Sequence, residues 1–221
     1  MDNFVKELDK LIFEEDDCEK ALKIAKKANE YINGIDSIFE RWELKLRFIK
    51  LFLGFTPKYP PKTSLESIVG IVCYFHKIFG WNKRTISEIY KQKNILIDYG
   101  PKYIDIKIHF LLSLGFHVKD IANYMKNKPY LLLISPKKFF GRISYALSKG
   151  YEPQSLHKLF ILIRSKDEKY IQILQNLGYN ADLNEYKEFL KSKQVEEIIK
   201  AEYERTREHL SIVLETSYNL S

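Results

Sequence analysis

A chain of 221 residues with 45% hydrophobic side chains is long enough for a sizeable core and too apolar to be disordered. Two cysteines, Cys18 and Cys73, stand far apart in sequence with no Cys or His at ligand spacing, which excludes a disulfide framework or a structural zinc site and points to a reducing compartment. The net charge of +7 is unevenly spread: residues 1–20 carry −5 and residues 194–221 carry −3, so the stretch between them holds +15.

From the N-terminus, Phe4, Val5, Leu8, Leu11 and Ile12 recur at helical spacing and predict a short amphipathic helix over 3–13. The acidic run Glu14-Glu15-Asp16-Asp17 follows; it lacks the alternation of a calcium loop and reads as a solvated linker, with Asp17 capping a second helix that runs to Asn33. A third helix spans Ser37 to Leu53, with Phe39, Trp42, Leu46, Ile49, Phe52 and Leu53 along one face. Thr56-Pro57-Lys58-Tyr59-Pro60-Pro61-Lys62 cannot be helical. Thr63 and Glu66 then form a capping box for a helix to about Phe79.

Beyond Phe79 the chain repeats. Gly80-Trp81, Gly115-Phe116 and Gly150-Tyr151 are spaced by 35 residues, and residues 80–114 align with 115–149 without gaps at ten identities. Such a period marks a solenoid of small units. Each unit predicts a short helix (Arg84–Lys93, His117–Lys128), an apolar break (94–97, 129–133), and a second helix opening at Pro101 or Pro136. The closing glycine supplies the left-handed residue a helix end needs, and the following aromatic packs back on the last turn. Gly54-Phe55 and Gly178-Tyr179 mark less regular units. Helices over Pro153–Arg164, Asp167–Leu177, Leu183–Lys191 and Gln194–Leu214 complete the chain, the last with an apolar stripe that includes Leu210, Val213 and Leu214. No strand alternation is present. The fold class is all-α: an α-solenoid with a helical N-terminal cap over 1–55, repeats over 56–180 and a C-terminal helical cap over 181–221.

The segment Leu111-Leu112-Ser113-Leu114-Gly115-Phe116, followed by Lys128-Pro129-Tyr130-Leu131-Leu132 and by Ser135-Pro136, resembles the repeat of the mitochondrial transcription termination factor (mTERF) family. The resemblance covers 100–130 residues; the unit at 80–114 departs from the pattern with Asn94 in place of proline. It implies stacked helix pairs with a short 3₁₀ turn in each unit. It further implies a curved, basic concave groove for double-stranded DNA or structured RNA, and a regulatory role in transcription or ribosome assembly. Pentatricopeptide units share the 35-residue period, but the Pro-Tyr-Leu-Leu-Leu break does not suit two uninterrupted helices.

The basic residues repeat in register: Lys91 with Lys126, Lys93 with Lys128, Lys102 with Lys137, and Lys107 with Arg142, with Lys138 beside Lys137. In a solenoid equal register means equal face, so these nine residues are the candidate nucleic-acid contacts, able to track a phosphate backbone. Tyr90, Tyr99, Tyr103, Tyr124, Tyr130, Phe139 and Phe140 interleave with them, as stacking platforms or as packing between repeats.

No phosphate loop, dinucleotide fingerprint, zinc-protease or nucleophile-elbow motif occurs, and the five histidines do not cluster, so neither catalysis nor a cofactor or metal is expected. His109 reads as a packed histidine and Cys73 as buried and inert. The expected partner is nucleic acid, with a protein–protein scaffold as the alternative and the C-terminal helix as its docking element. No membrane span is expected. An N-terminus with eight acids against three lysines does not read as a presequence, and the expected location is intracellular, in cytoplasm or nucleoid. A mitochondrial matrix location follows only from the family resemblance.

Overall fold

The computed structural model describes residues 1–214, with the side chains of 94, 95 and 207–214 left aside. Among the described residues the chain is all-helical: α1 (Asp2–Phe13), α2 (Cys18–Asn33), α3 (Ile38–Leu53), α4 (Leu65–Phe79), α5 (Lys83–Gln92), α6 (Pro101–Ser113), α7 (Val118–Asn127), α8 (Pro136–Ser148), α9 (Leu156–Arg164), α10 (Asp167–Asn176), α11 (Leu183–Lys191) and α12 (Lys193–Leu214). Two 3₁₀ turns, Asn94–Asp98 and Pro129–Leu133, interrupt the two regular repeats. Both helices, the turn and the closing glycine of the repeat at 80–114 recur in that at 115–149 with every start shifted by 35 residues. His209, Leu210, Val213 and Leu214 lie outside the described side chains.

Helix boundaries follow from local chemistry. Asp17 caps α2 as expected, accepting from the Lys20 amide, and Ser37 caps α3, accepting from the Glu40 amide. Ser135 does the same for α8 ahead of Pro136, whose missing N–H costs nothing in the first turn. Two starts differ. Ser64, accepting from the Ser67 amide, caps α4 instead of Thr63, and α9 begins at Leu156 under a Ser155 cap, three residues later than Pro153. In both, a serine hydroxyl within a residue or two of the expected start offers a better N-cap acceptor.

The left-handed glycines are the five at the repeat boundaries: Gly54, Gly80, Gly115, Gly150 and Gly178, with φ from 64° to 89°. At the last three, the aromatic amide reaches back to a helix carbonyl: Phe116 to Leu111 at 3.2 Å, Tyr151 to Ala146 at 3.0 Å and Tyr179 to Leu174 at 3.0 Å. These bonds satisfy carbonyls the helix end leaves open. After Gly80 the ring packs back on the last turn as expected: Trp81 lies 4.7 Å from Phe79 and 5.0 Å from Phe75, centroid to centroid.

The chain divides into two compact units, Met1–Ile104 with the segment of α12 from Arg207 on, and Asp105–Thr206. The division falls inside α6 and α12. The proline-rich stretch is not a boundary between bodies, because it is tied into the first unit. Pro57 and Pro61 are buried, the Lys62 amide donates to Asp98 Oδ1 at 2.9 Å, and Lys45 Nζ donates to the Thr63 carbonyl.

In the first unit α2 packs on α4, α1 lies against both, and α5 joins α3 to α4. The core is Leu8, Ile12, Ala21, Phe48, Phe52, Ile68, Val72 and Phe75, all fully buried or nearly so. The two cysteines, distant in sequence, meet here: the thiols of Cys18 and Cys73 interact, and burial first, then Cys18, pushes the Cys73 thiol pKa up. That keeps it protonated and unreactive. In the second unit α8 is central, packed on α9 and α11, while α9 also meets α7 and α10. A Cβ at Gly141 would come 2.3 Å from Leu190 Cδ2 on α11, so the Leu190 side chain packs into the space that the glycine leaves on α8.

The stop signals make a test. Gly115→Ala forces an L side chain to φ 87° and is expected to cost about 1 kcal/mol. Gly34→Ala, at φ −75°, should be neutral or slightly stabilising. Thermal denaturation of the two variants checks this, and equal losses would contradict it.

Candidate nucleic-acid interface

The nine candidate residues separate by burial. Lys91, Lys126, Lys128 and Lys137 are exposed, and Lys93, Lys102 and Lys138 are half-buried. Lys107 and Arg142 are 0% and 1% exposed. These last two are therefore not surface contacts, and the expectation of a four-row basic face is corrected on this point.

The reason lies in helix periodicity. Lys107 shares its helix face with Ile104 and Leu111, and Arg142 with Phe139 and Ala146, all buried. Both cations occupy the inner face, where they do one kind of work. Lys107 Nζ donates to the carbonyl of Leu132 in the 3₁₀ turn of the following repeat. Arg142 donates through Nη1 to the carbonyls of Ile163 and Ser165 at the end of α9, through Nε to Tyr186 Oη at 3.0 Å, and through Nη2 to Asp167. Its own carbonyl accepts from Tyr170 Oη at 2.7 Å, and its guanidinium lies 5.1 Å from the Tyr170 ring centre. A cation at the carboxyl end of α9 satisfies open carbonyls and opposes the helix dipole. Tyr145, Tyr170, Tyr186 and Phe189 pack around this site with centroids 4.8–6.3 Å apart.

The remaining basic residues divide between the two units. In the second unit Lys126 is in the last turn of α7, Lys128 lies between α7 and the 3₁₀ turn, and Lys137 and Lys138 are in the first turn of α8. In the first unit Lys91 ends α5, Lys93 follows it, and Lys102 opens α6. No carboxylate forms an ion pair with Lys91, Lys93, Lys126, Lys128 or Lys137 among the described residues, whereas Lys10, Lys23, Lys83, Lys149 and Lys191 all have one. Cations in a helix's first turn add to a field already positive there, which weakens the helix slightly and attracts anions. Burial, then Arg142, lowers the Lys138 pKa.

The aromatic candidates mostly pack. Phe139, Phe140 and Tyr90 are fully buried, and Tyr90 stacks on Phe55 with centroids 6.2 Å apart. Tyr99 and Tyr103 pair with each other at 4.3 Å. Tyr124, half-buried, stacks on Phe160 at 4.9 Å and lines a 520 Å³ recess with Lys128, Asn123 and Asn127. Tyr130 Oη accepts from the exposed Arg164, a cation the register argument did not select because it lies outside the two regular repeats.

Among the described residues no three His, Cys, Asp or Glu side chains come together as metal ligands, and no helix is long and apolar enough to cross a membrane. His109 Nδ1 lies 3.4 Å from Glu202 Oε2, which also accepts from Arg205 through its other oxygen. No family model matches this chain, and no curated protein and no solved structure is similar to it.

Two consequences follow for the buried cations. Arg142→Met removes the cation that pairs with a half-buried Asp167 and two carbonyl bonds, and is expected to cost about 3–5 kcal/mol in urea unfolding. Arg142→Lys should recover less than half of that, since a lysine lacks the fork. A loss under about 0.5 kcal/mol would contradict this.

Burial pushes the Lys107 ammonium down to about 6. An unfolded lysine keeps its proton to about 10.4, so between these values the unfolded state binds more protons and stability rises with pH. The rise is at most about 1.4 kcal/mol per pH unit and is absent below the folded pKa. Urea midpoints measured at about pH 6.5 and about pH 8.5 should therefore rise more in the wild type than in Lys107→Met. An equal rise in both would place the titration elsewhere.

Proposed function

We propose that the protein is a non-enzymatic binder of duplex nucleic acid, either double-stranded DNA or a folded RNA, that uses its repeats as a basic surface. The observation that carries this reading is the row of lysines in register. Lys126, Lys128 and Lys137 are exposed on the second unit, and Lys91, in register with Lys126, is exposed on the first. Phosphate oxygens are the partners such a row fits, and each contact releases a counterion, so affinity falls steeply with salt.

The plan of helix, 3₁₀ turn, helix and left-handed glycine supports the resemblance to mTERF repeats. Membership of that family, solenoid stacking around a concave groove, and a regulatory role in transcription or ribosome assembly belong to this same proposal. So do an intracellular location, in the cytoplasm, nucleoid or mitochondrial matrix, and the absence of catalysis. The scaffold alternative predicts little dependence on salt, because partner recognition through packed apolar surface is not counterion-driven.

The experiment is a titration of labelled DNA duplexes and RNA hairpins against salt, for the wild type and for a Lys126→Glu, Lys128→Glu, Lys137→Glu variant. The wild type should bind at about 50 mM salt, and the variant should lose at least about tenfold, with a salt slope flatter by roughly 3. No binding by the wild type would overturn the proposal. Unchanged binding by the variant would overturn the assigned surface.

A further inference from the structure

The expected apolar face of α3 is only half used by the core. Phe48 and Phe52 are buried, whereas Ile38, Phe39 and Trp42 nearer its start are 45%, 75% and 43% exposed. Phe39 and Trp42 meet edge to face at 5.7 Å. Tyr59, on the proline-rich stretch, is 70% exposed.

Trp42 and Tyr59 line one recess of 510 Å³ together with Arg41, Lys45, Lys62 and Asn33, and no carboxylate lines it. Arg41, Lys45 and Lys62 form no ion pair among the described residues. Asp98, beside Lys62, accepts from the Lys62 backbone amide. Lys45 is half-buried and donates to the Thr63 carbonyl at 3.3 Å; burial first and then Arg41 push its pKa down. Like charges held together in a recess without a counter-ion raise the energy of the empty site, and an anionic occupant relieves it.

Three features select the occupant. The cations fit phosphate groups. The aromatic rings fit planar, apolar faces. A duplex hides its base faces inside its own stack, so exposed rings beside cations match bases that are unpaired. An acidic peptide would answer the charge but leaves the two exposed rings of the recess, Trp42 and Tyr59, without a role.

We infer that this recess of the first unit binds an unpaired segment of nucleic acid, with bases against Trp42 and Tyr59 and phosphates at Arg41, Lys45 and Lys62. The inference rests on the nucleic-acid reading above and adds a strand-selective site made of residues outside the lysine row.

The test uses the full chain and a labelled oligothymidylate of about eight nucleotides, with a blunt duplex as comparison. Trp81, the other tryptophan, is 7% exposed, so a ligand on α3 should quench mainly Trp42. The wild type is expected to bind the oligothymidylate with quenching. Trp42→Ala combined with Tyr59→Ala should weaken that binding at least about tenfold while leaving duplex affinity unchanged. Both side chains are largely outside the core, and circular dichroism of the variant confirms that it folds. Duplex binding without oligothymidylate binding overturns this inference and leaves the lysine row intact, whereas absence of both removes the nucleic-acid reading too. Equal oligothymidylate affinity in variant and wild type, or quenching by a Glu- and Phe-rich peptide in place of the oligonucleotide, assigns the recess to something else and overturns it.

Discussion

A helix that ends inside a protein leaves carbonyl groups that something must satisfy, and here the buried nitrogen donors of Lys107 and Arg142 do it. Lys107 serves the 3₁₀ turn ending at Leu133, and Arg142 serves the end of α9, at equivalent places of successive repeats. Each reaches from the second helix of one repeat to a backbone terminus in the next. Position and chemistry are thus set together: the cation lies on the inner face because the carbonyls it serves are there. Leaving those carbonyls open, or the charge unpaired, costs several kcal/mol, comparable to the net stability of a small domain.

Most of the fold is legible in the sequence for reasons that can be named. The 35-residue spacing, the Gly-aromatic stop and Ser-Pro at the start of α8 each act through local backbone chemistry, so short-range patterns report them faithfully. What pattern misses is decided by distant residues. Asp98, 36 positions away, ties down the backbone of Lys62 in the proline-rich stretch, which its prolines mark only as non-helical. The meeting of Cys18 with Cys73 is likewise a product of α2 packing on α4, and no spacing rule announces it.

The candidate site is less legible because charge alone does not tell a surface lysine from a buried one. Register groups Lys107 and Arg142 with Lys91 and Lys126, yet their apolar neighbours Ile106, Ile108, Gly141 and Ile143 already embed the charges in core sequence. Weighing helical face before charge separates the rows. The opposite error arises on α3, where a continuous apolar stripe includes Phe39 and Trp42, which are left 75% and 43% exposed. Periodicity gives the direction of a face and not whether a neighbour exists to bury it.

One set of register-equivalent cations faces the interior, and another faces solvent, where phosphate can reach it. Amine-reactive labelling of the folded protein at about pH 8, read residue by residue by mass spectrometry, tests that division most directly. With a pKa near 6, Lys107 is deprotonated at that pH and would be the fastest lysine to react if reagent could reach it. The expected result is that Lys107 stays unlabelled while Lys91, Lys126, Lys128 and Lys137 react, and that duplex nucleic acid protects those four. Rapid labelling of Lys107 in the folded chain would contradict the division.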